Sequence, residues 1–237
     1  MKRVLVLIIL LAAAPFAFAQ DYLYRASMVQ AAPGKLLEVI GQYKQIQKDL
    51  PASGDEPFLW FRHSQGDRWD LMLLFPMHSY ADYYSPARIA KREKLSAALS
   101  RMQPLIAWQE DVFVFGPPPD ELHKAFDASA LFHLEIFQAL PGALADLHKE
   151  REMENAYAAA LGQPTNFIFT RDAGAAWNLF TIGCFRNLRH YAESETVPKE
   201  KQDQAARAAG FQSAGEIGAY LRRFIAVHHD TLGAAIR

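Results

Sequence analysis

The side chains best equipped for chemistry sit on two short strand-like runs, Tyr22–Val29 and Leu131–Phe137. Strand alternation puts Leu23, Arg25 and Ser27 on one face of the first run and Tyr24, Ala26 and Met28 on the other. In the second run Leu131, His133, Glu135 and Phe137 alternate with Phe132, Leu134 and Ile136. The wholly apolar faces are expected to pack against helices, which leaves Arg25, His133 and Glu135 looking into a shared interior. A guanidinium, an imidazole and a carboxylate in a mostly apolar space can fix an anionic ligand, hold a metal through His133 and Glu135, or move a proton. The same three residues also suit a purely structural role, as an Arg25–Glu135 ion pair beside a hydrogen-bonded histidine.

Further candidates lie elsewhere. Trp69 and Trp177 open two later strands, where a tryptophan serves as a core or rim anchor or stacks on a ligand. Arg62 and Trp60 lie on the adjacent strand and can line the same space. His78, His190, Tyr83 and Tyr191 stand at helix entries, where a solvated face is the default. Near the C-terminus, Ile217, Leu221, Phe224, His228 and Leu232 share one stripe of an expected helix, with His229 turned about 100° away. Adjacent histidines on a helix do not chelate one ion as an i, i+4 pair does, so no metal site is expected there. Cys184 is the single cysteine, which excludes an intramolecular disulfide, and it reads as a small buried hydrophobe. The chain has no nucleophile elbow, phosphate-binding loop, dinucleotide fingerprint or paired-cysteine motif.

The elements that position these residues recur. At an offset of 108 residues, positions 23–83 match 131–191 without a gap at thirteen identities, where average residue usage would give roughly four by chance. The matches include Pro33-Gly34 with Pro141-Gly142, Gly54 with Gly162, Phe61 with Phe169, Gly66 with Gly174, Trp69 with Trp177 and Tyr83 with Tyr191. Turn residues and large aromatics are what a duplicated fold must keep, so the pattern reads as a duplication. Each copy begins strand, Pro-Gly turn, helix, then a hairpin around a glycine. In the first copy a second helix over about 86–103 and a fourth strand, Trp108–Phe115, follow. The second copy instead has a polar insert, 194–212, and an expected long helix from about Ser213 to Ile236, with no evident fourth strand.

Residues 1–19 have a basic start at Lys2-Arg3, an apolar run from Val4 to Phe16 and a small-x-small site at Ala17-Phe18-Ala19, the pattern of a cleaved export signal. The apolar run is too short to span a membrane. The expected product is exported, periplasmic or secreted, with no membrane insertion after cleavage. Loss of Lys2 and Arg3 with the leader takes the formal charge from −1 to −3. That acidic balance offers nothing to condense on phosphates, so nucleic acid is excluded as a partner.

The order β-α-β-β-α-β is that of the ferredoxin-like split unit. The duplicated chain resembles the dimeric α+β barrel superfamily in a fused, tandem form, and in outline the NIPSNAP and antibiotic-biosynthesis-monooxygenase-like families. The fold class so implied is α+β, with two ferredoxin-like units forming an intramolecular pseudo-dimeric barrel. The units would span 20–116 and 129–237, joined by a Pro-rich linker at 117–128 and following the signal at 1–19. A homodimer is then not required. Haem-handling members of that superfamily resemble this chain in having a helix histidine and a strand tryptophan, at a different spacing; haem is the cofactor this likeness would imply. The expected function is binding of a small, partly apolar ligand between two facing sheets. The alternatives are a monooxygenase-like or haem-associated enzyme using the same cavity through His133 or His228, and an interaction module with a filled barrel.

Overall fold

The computed structural model describes residues 22–65 and 67–236. The leader read at residues 1–19 and the turn read at Gly66 lie outside them. β1 (Tyr22–Ala31) leads through the Pro33-Gly34 turn into α1 (Leu36–Ser53), followed by β2 (Leu59–Gln65) and β3 (Leu71–His78). Three short helices, α2 (Tyr80–Tyr83), α3 (Pro86–Arg92) and α4 (Ser96–Met102), precede β4 (Ile106–Gly116) and α5 (Pro119–Asp127). The second half runs β5 (Leu131–Ala139), α6 (Leu144–Ala160), β6 (Phe167–Ala173) and β7 (Leu179–Phe185). It ends with α7 (Leu188–Tyr191), α8 (Lys199–Ala208), α9 (Ile217–Leu221) and β8 (Ile225–Ala235). None of the described helices is long and apolar enough to cross a membrane.

All eight strands pair antiparallel and close into a barrel in the order β1-β3-β2-β8-β5-β7-β6-β4. Within each half the first strand pairs with the third and the third with the second. The fourth strand then crosses over, β4 to β6 and β8 to β2. Matching side chains tie matching corners. Asp70 Oδ2 accepts the Ala31 amide at 2.8 Å, and Asn178 Oδ1 accepts the Ala139 amide at 2.9 Å.

An eight-stranded barrel has an interior just wide enough for side chains to fill, and here aromatic rings fill it. Tyr24, Ala26 and Met28 from β1 meet Phe61, Met72, Val112, Val114, Phe132, Leu134, Phe169 and Phe180 from the other strands. Phe61 stacks on Phe132 with centroids 5.1 Å apart, and Phe169 on Phe180 at 4.5 Å. The fit is close enough to demand glycine opposite two of these rings. A Cβ on Gly233 of β8 would lie 2.3 Å from Phe61, and one on Gly116 of β4 would lie 2.3 Å from Phe169. Each half thus supplies the glycine under the other half's aromatic.

This closure reverses the expected use of the strand faces. The apolar faces, Tyr24-Ala26-Met28 and Phe132-Leu134-Ile136, line the barrel interior, whereas Arg25, His133 and Glu135 point outward beneath the helices. The physical reason is that only the barrel lumen is closed to water on every side. The layer between sheet and helix opens at its margins and tolerates polar groups. On the outer surface α1 places Val39, Tyr43, Ile46 and Leu50 against Val29, Leu71 and Leu73. α6 buries Leu147 against Phe137 and Leu179.

Two expected elements differ. The Pro-rich segment at 117–128 is mostly helix α5, whose Leu122 and Phe126 close one end of the interior cluster. The long helix expected over about 213–236 is only the short α9 followed by strand β8. Local helical periodicity yields there to pairing, because β8 satisfies the otherwise open edges of both β2 and β5.

Candidate functional site

The outward faces of β1 and β5 each roof a cavity, and the two cavities are built from equivalent positions. The first, about 370 Å³, lies between β1, β3, β4 and helices α1 and α4. Its apolar wall is Tyr43, Ile46, Leu50, Leu95, Leu99 and Met102. Arg25 enters from β1, its guanidinium 4.3 Å from the Phe75 ring. Its Nε is buried without a partner, and no hydrogen bond or ion pair from Arg25 occurs among the described residues. The carboxylates at the rim are engaged: Asp55 holds Arg88 at 2.5 Å, and Glu56 faces His78 at 2.7 Å. Arg92, stacked on Tyr83 at 3.7 Å and paired through Nε with Asp55 at 3.4 Å, adds a second guanidinium whose buried Nη2 makes no hydrogen bond. Arg25, with no carboxylate partner and set over an apolar wall, is the group that can receive an anion there.

The second cavity, about 320 Å³, lies between β5, α6 and α7. The 108-residue offset carries Arg25 to His133, Ser27 to Glu135, Ile46 to Glu154, Leu50 to Ala158 and Tyr83 to Tyr191. All ten residues line their respective cavities. The chemistry has diverged, since the apolar Tyr43 and Ile46 of α1 correspond to Arg151 and Glu154 of α6. Arg151, buried, donates from Nε to Glu150 Oε2 at 2.6 Å, from Nη1 to Glu135 Oε2 at 3.3 Å, and from Nη2 to Glu154. Thr181 donates to the same Glu135 oxygen at 3.1 Å. On β8, His228 lies flat on Phe137 with centroids 4.8 Å apart. His133 Nε2 stands 2.5 Å from Asp230 Oδ1.

One buried guanidinium thus serves three glutamates, and their acidities diverge accordingly. Burial opposes ionisation of Glu135, but His228 and Arg151 outweigh it and hold its carboxyl at about 2. Burial pushes Glu154 up to about 7 despite Arg151, with repulsion from Glu135 and Glu150 adding to the rise. Glu150 is raised too, by burial first. For His133, burial favours the neutral ring, yet Asp230 and Glu135 together raise its affinity for a proton. Neighbouring carboxyls separated in this way are suited to holding and passing a proton.

Of the residues singled out from the sequence, the structure brings together His133, Glu135 and His228. Arg25 stays apart: β1 and β5 are four strands apart in an eight-strand ring, on opposite sides of it, and both side chains face outward. The expected Arg25–His133–Glu135 trio therefore does not assemble, and the partner of Glu135 is Arg151. Trp69 is buried in the interior cluster, and Trp177 packs on it at the rim, 5.5 Å from Phe180. Arg62 is exposed, and His229 turns toward Asp67 at 3.7 Å. The residues missed are Glu150, Arg151 and Glu154, together with the pairing of Asp230 to His133. A signal for the first three existed, since the i, i+3, i+4 spacing puts them on the same stripe of α6 as Leu147. Asp230 and His228 become same-face neighbours only once residues 225–235 form a strand.

Neither protein-family models nor curated proteins match the chain. Solved structures do. An anthrone oxidase-like protein superposes with a TM-score of 0.54 at 11% identity, over 92% of each chain. A protein from Lactobacillus acidophilus NCFM described as a candidate monooxygenase gives 0.54 at 11% identity, over 91% of this chain and 94% of that one. A mutant chlorite dismutase from Candidatus Nitrospira defluvii gives 0.52 at 11% identity, over 91% and 93%. The likeness is one of fold: a mixed α+β fold on an eight-stranded antiparallel sheet, matching neighbours of the dimeric α+β barrel kind.

The two cavities do not fit haem. The first has the apolar walls but offers neither histidine nor cysteine. The second offers His133, but its Nε2 is committed to Asp230, and Glu135 and Glu154 would face the propionates.

Proposed function

We propose that the protein is an exported, small-molecule-binding member of the dimeric α+β barrel fold, in which two ferredoxin-like units are fused in tandem and do the work of a dimer. The crossed β4 and β8, the exchanged Gly116 and Gly233 and the paired cavities support the fusion. Its ligand is a small anion with an apolar body, held outside the barrel in the first cavity. One observation carries this reading: the Arg25 guanidinium, packed on Phe75, has no carboxylate partner among the described residues and a buried Nε with no hydrogen bond, on the wall of a largely apolar cavity. A charged hydrogen bond there is worth about 1.5–3 kcal/mol, or roughly 10- to 100-fold in affinity.

The test is a fluorescence titration of the mature chain with 8-anilinonaphthalene-1-sulfonate, an aromatic anion. Arg25→Ala should weaken binding by about 10-fold or more. Leu99→Trp, at the half-exposed mouth of the cavity, should block it. Equal affinity in the wild type and both variants would remove the cavity from the argument.

A second reading, an enzyme of the monooxygenase-like kind, is favoured by the fold likeness to the Lactobacillus acidophilus protein and by the carboxyl–histidine network of the second cavity. There Glu154 and His133 would hold and pass a proton for a substrate seated against Tyr157 and Tyr191. Turnover of an aromatic substrate that Glu154→Gln abolishes while leaving anion binding at Arg25 intact would establish it.

A further inference from the structure

The network under β5 and β8 has a feature that ligand binding does not require. His133-Leu134-Glu135 and His228-His229-Asp230 are two histidine-x-carboxylate pairs on adjacent antiparallel strands, with Glu135 opposite Asp230. Alternation turns all four side chains to one face. His133 then reaches Asp230, and His228 Nε2 lies 3.4 Å from Glu135 Oε1 in a contact that makes no hydrogen bond. That nitrogen is buried and has no hydrogen bond, only this ion-pair contact with Glu135. One ligand atom each from Glu135, His228 and Asp230 falls within 4.8 Å of the others. Donors about 2.0–2.2 Å from a tetrahedral zinc ion are themselves about 3.4 Å apart, the spacing His228 and Glu135 already have.

The surroundings are also those of a cation site. Arg151 and Thr181 occupy Oε2 of Glu135 and leave Oε1 toward His228, the outer support that aims a ligating carboxylate. Three glutamates, Glu135, Glu150 and Glu154, share one arginine, and the only ionisable partner of Asp230 among the described residues is His133. Arg151 is matched by Glu150 and Glu154, so its charge does not oppose a cation beyond Glu135. Asp230 is half-exposed and gives an entry path.

We propose that Glu135, His228 and Asp230 form a divalent transition-metal site, with His133 positioning Asp230 and a fourth position open to water. One imidazole and two carboxylates suit Zn²⁺, Co²⁺ or Mn²⁺. The site lies on the opposite side of the barrel from Arg25 and is independent of the anion cavity.

The experiment is calorimetric titration of the EDTA-stripped mature chain with Zn²⁺, with Co²⁺ absorption as the coordination readout. One ion per chain is expected, with the intense visible bands of a low-coordinate Co²⁺ centre. His228→Phe, which keeps the stack on Phe137, and Asp230→Asn, at a half-exposed position, should each weaken binding at least about 10-fold. His229→Ala, on the other face of β8, should leave it unchanged. No binding, or binding that both His228→Phe and Asp230→Asn leave intact, overturns the proposal; either result leaves the Arg25 reading standing.

Discussion

Replacing Glu154 by glutamine isolates the charge conflict on α6. In the folded chain burial, joined by repulsion from Glu135 and Glu150, pushes the Glu154 carboxyl to about 7, from an ordinary value of 4.5. Between those two values the folded state keeps a proton that the unfolded chain has already released. Stability therefore falls as pH rises through that window. Each pH unit costs at most about 1.4 kcal/mol, which caps the effect near about 3 kcal/mol. Because 29% of the Glu154 side chain meets water, screening reduces the expected cost to about 1–2 kcal/mol. The glutamine variant does not titrate and escapes this cost. Urea unfolding in EDTA, followed by circular dichroism between about pH 5 and about pH 8, should show the wild type losing about 1–2 kcal/mol more than the variant. Glu135 works with the opposite sign: its low value adds stability above 4.5 that is lost as pH falls toward 2, in wild type and variant alike. Parallel curves for the two proteins from pH 5 to 8 would refute the account of one arginine shared among three glutamates.

Gly233→Ala should destabilise the fold by about 1–3 kcal/mol, because the new methyl would meet Phe61, itself trapped against Phe132; a lowered urea midpoint is the check. Phe132→Ala should cost about 3–5 kcal/mol by opening a cavity among those rings, again read as a drop in unfolding midpoint. Burial pushes the Cys184 thiol up to about 12, so at pH 8 only about one molecule in ten thousand presents a thiolate; a chromogenic disulfide reagent should react on unfolding and not before. Haem added to the protein should give no stoichiometric Soret shift, and a sharp one-to-one titration would contradict the donor-set argument.

Much of the fold was legible in the sequence. The 108-residue offset selected Pro-Gly turns and large aromatics, and the structure uses Phe61 and Phe169 as equivalent interior rings under equivalent glycines. The site was less legible. Strand alternation correctly separated Arg25 and Glu135 from Tyr24 and Leu134, but it does not say which face turns inward. Residues 213–236 carry an apolar helical stripe, and His228 was placed on it. Antiparallel pairing to two strand edges outweighs that local preference and sets His228 beside Asp230.

By itself the sequence determined the repeat, the alternation along each strand, the α+β element order and the identity of the charged groups, all of which depend on neighbours in the chain. Only the tertiary structure decided that the barrel closes over its apolar faces, that the polar faces lie under helices on opposite sides, and that Arg151 serves Glu135. These outcomes depend on ring closure and on contacts across the barrel, such as β8 between β2 and β5. No local periodicity encodes which of two faces water is shut out from.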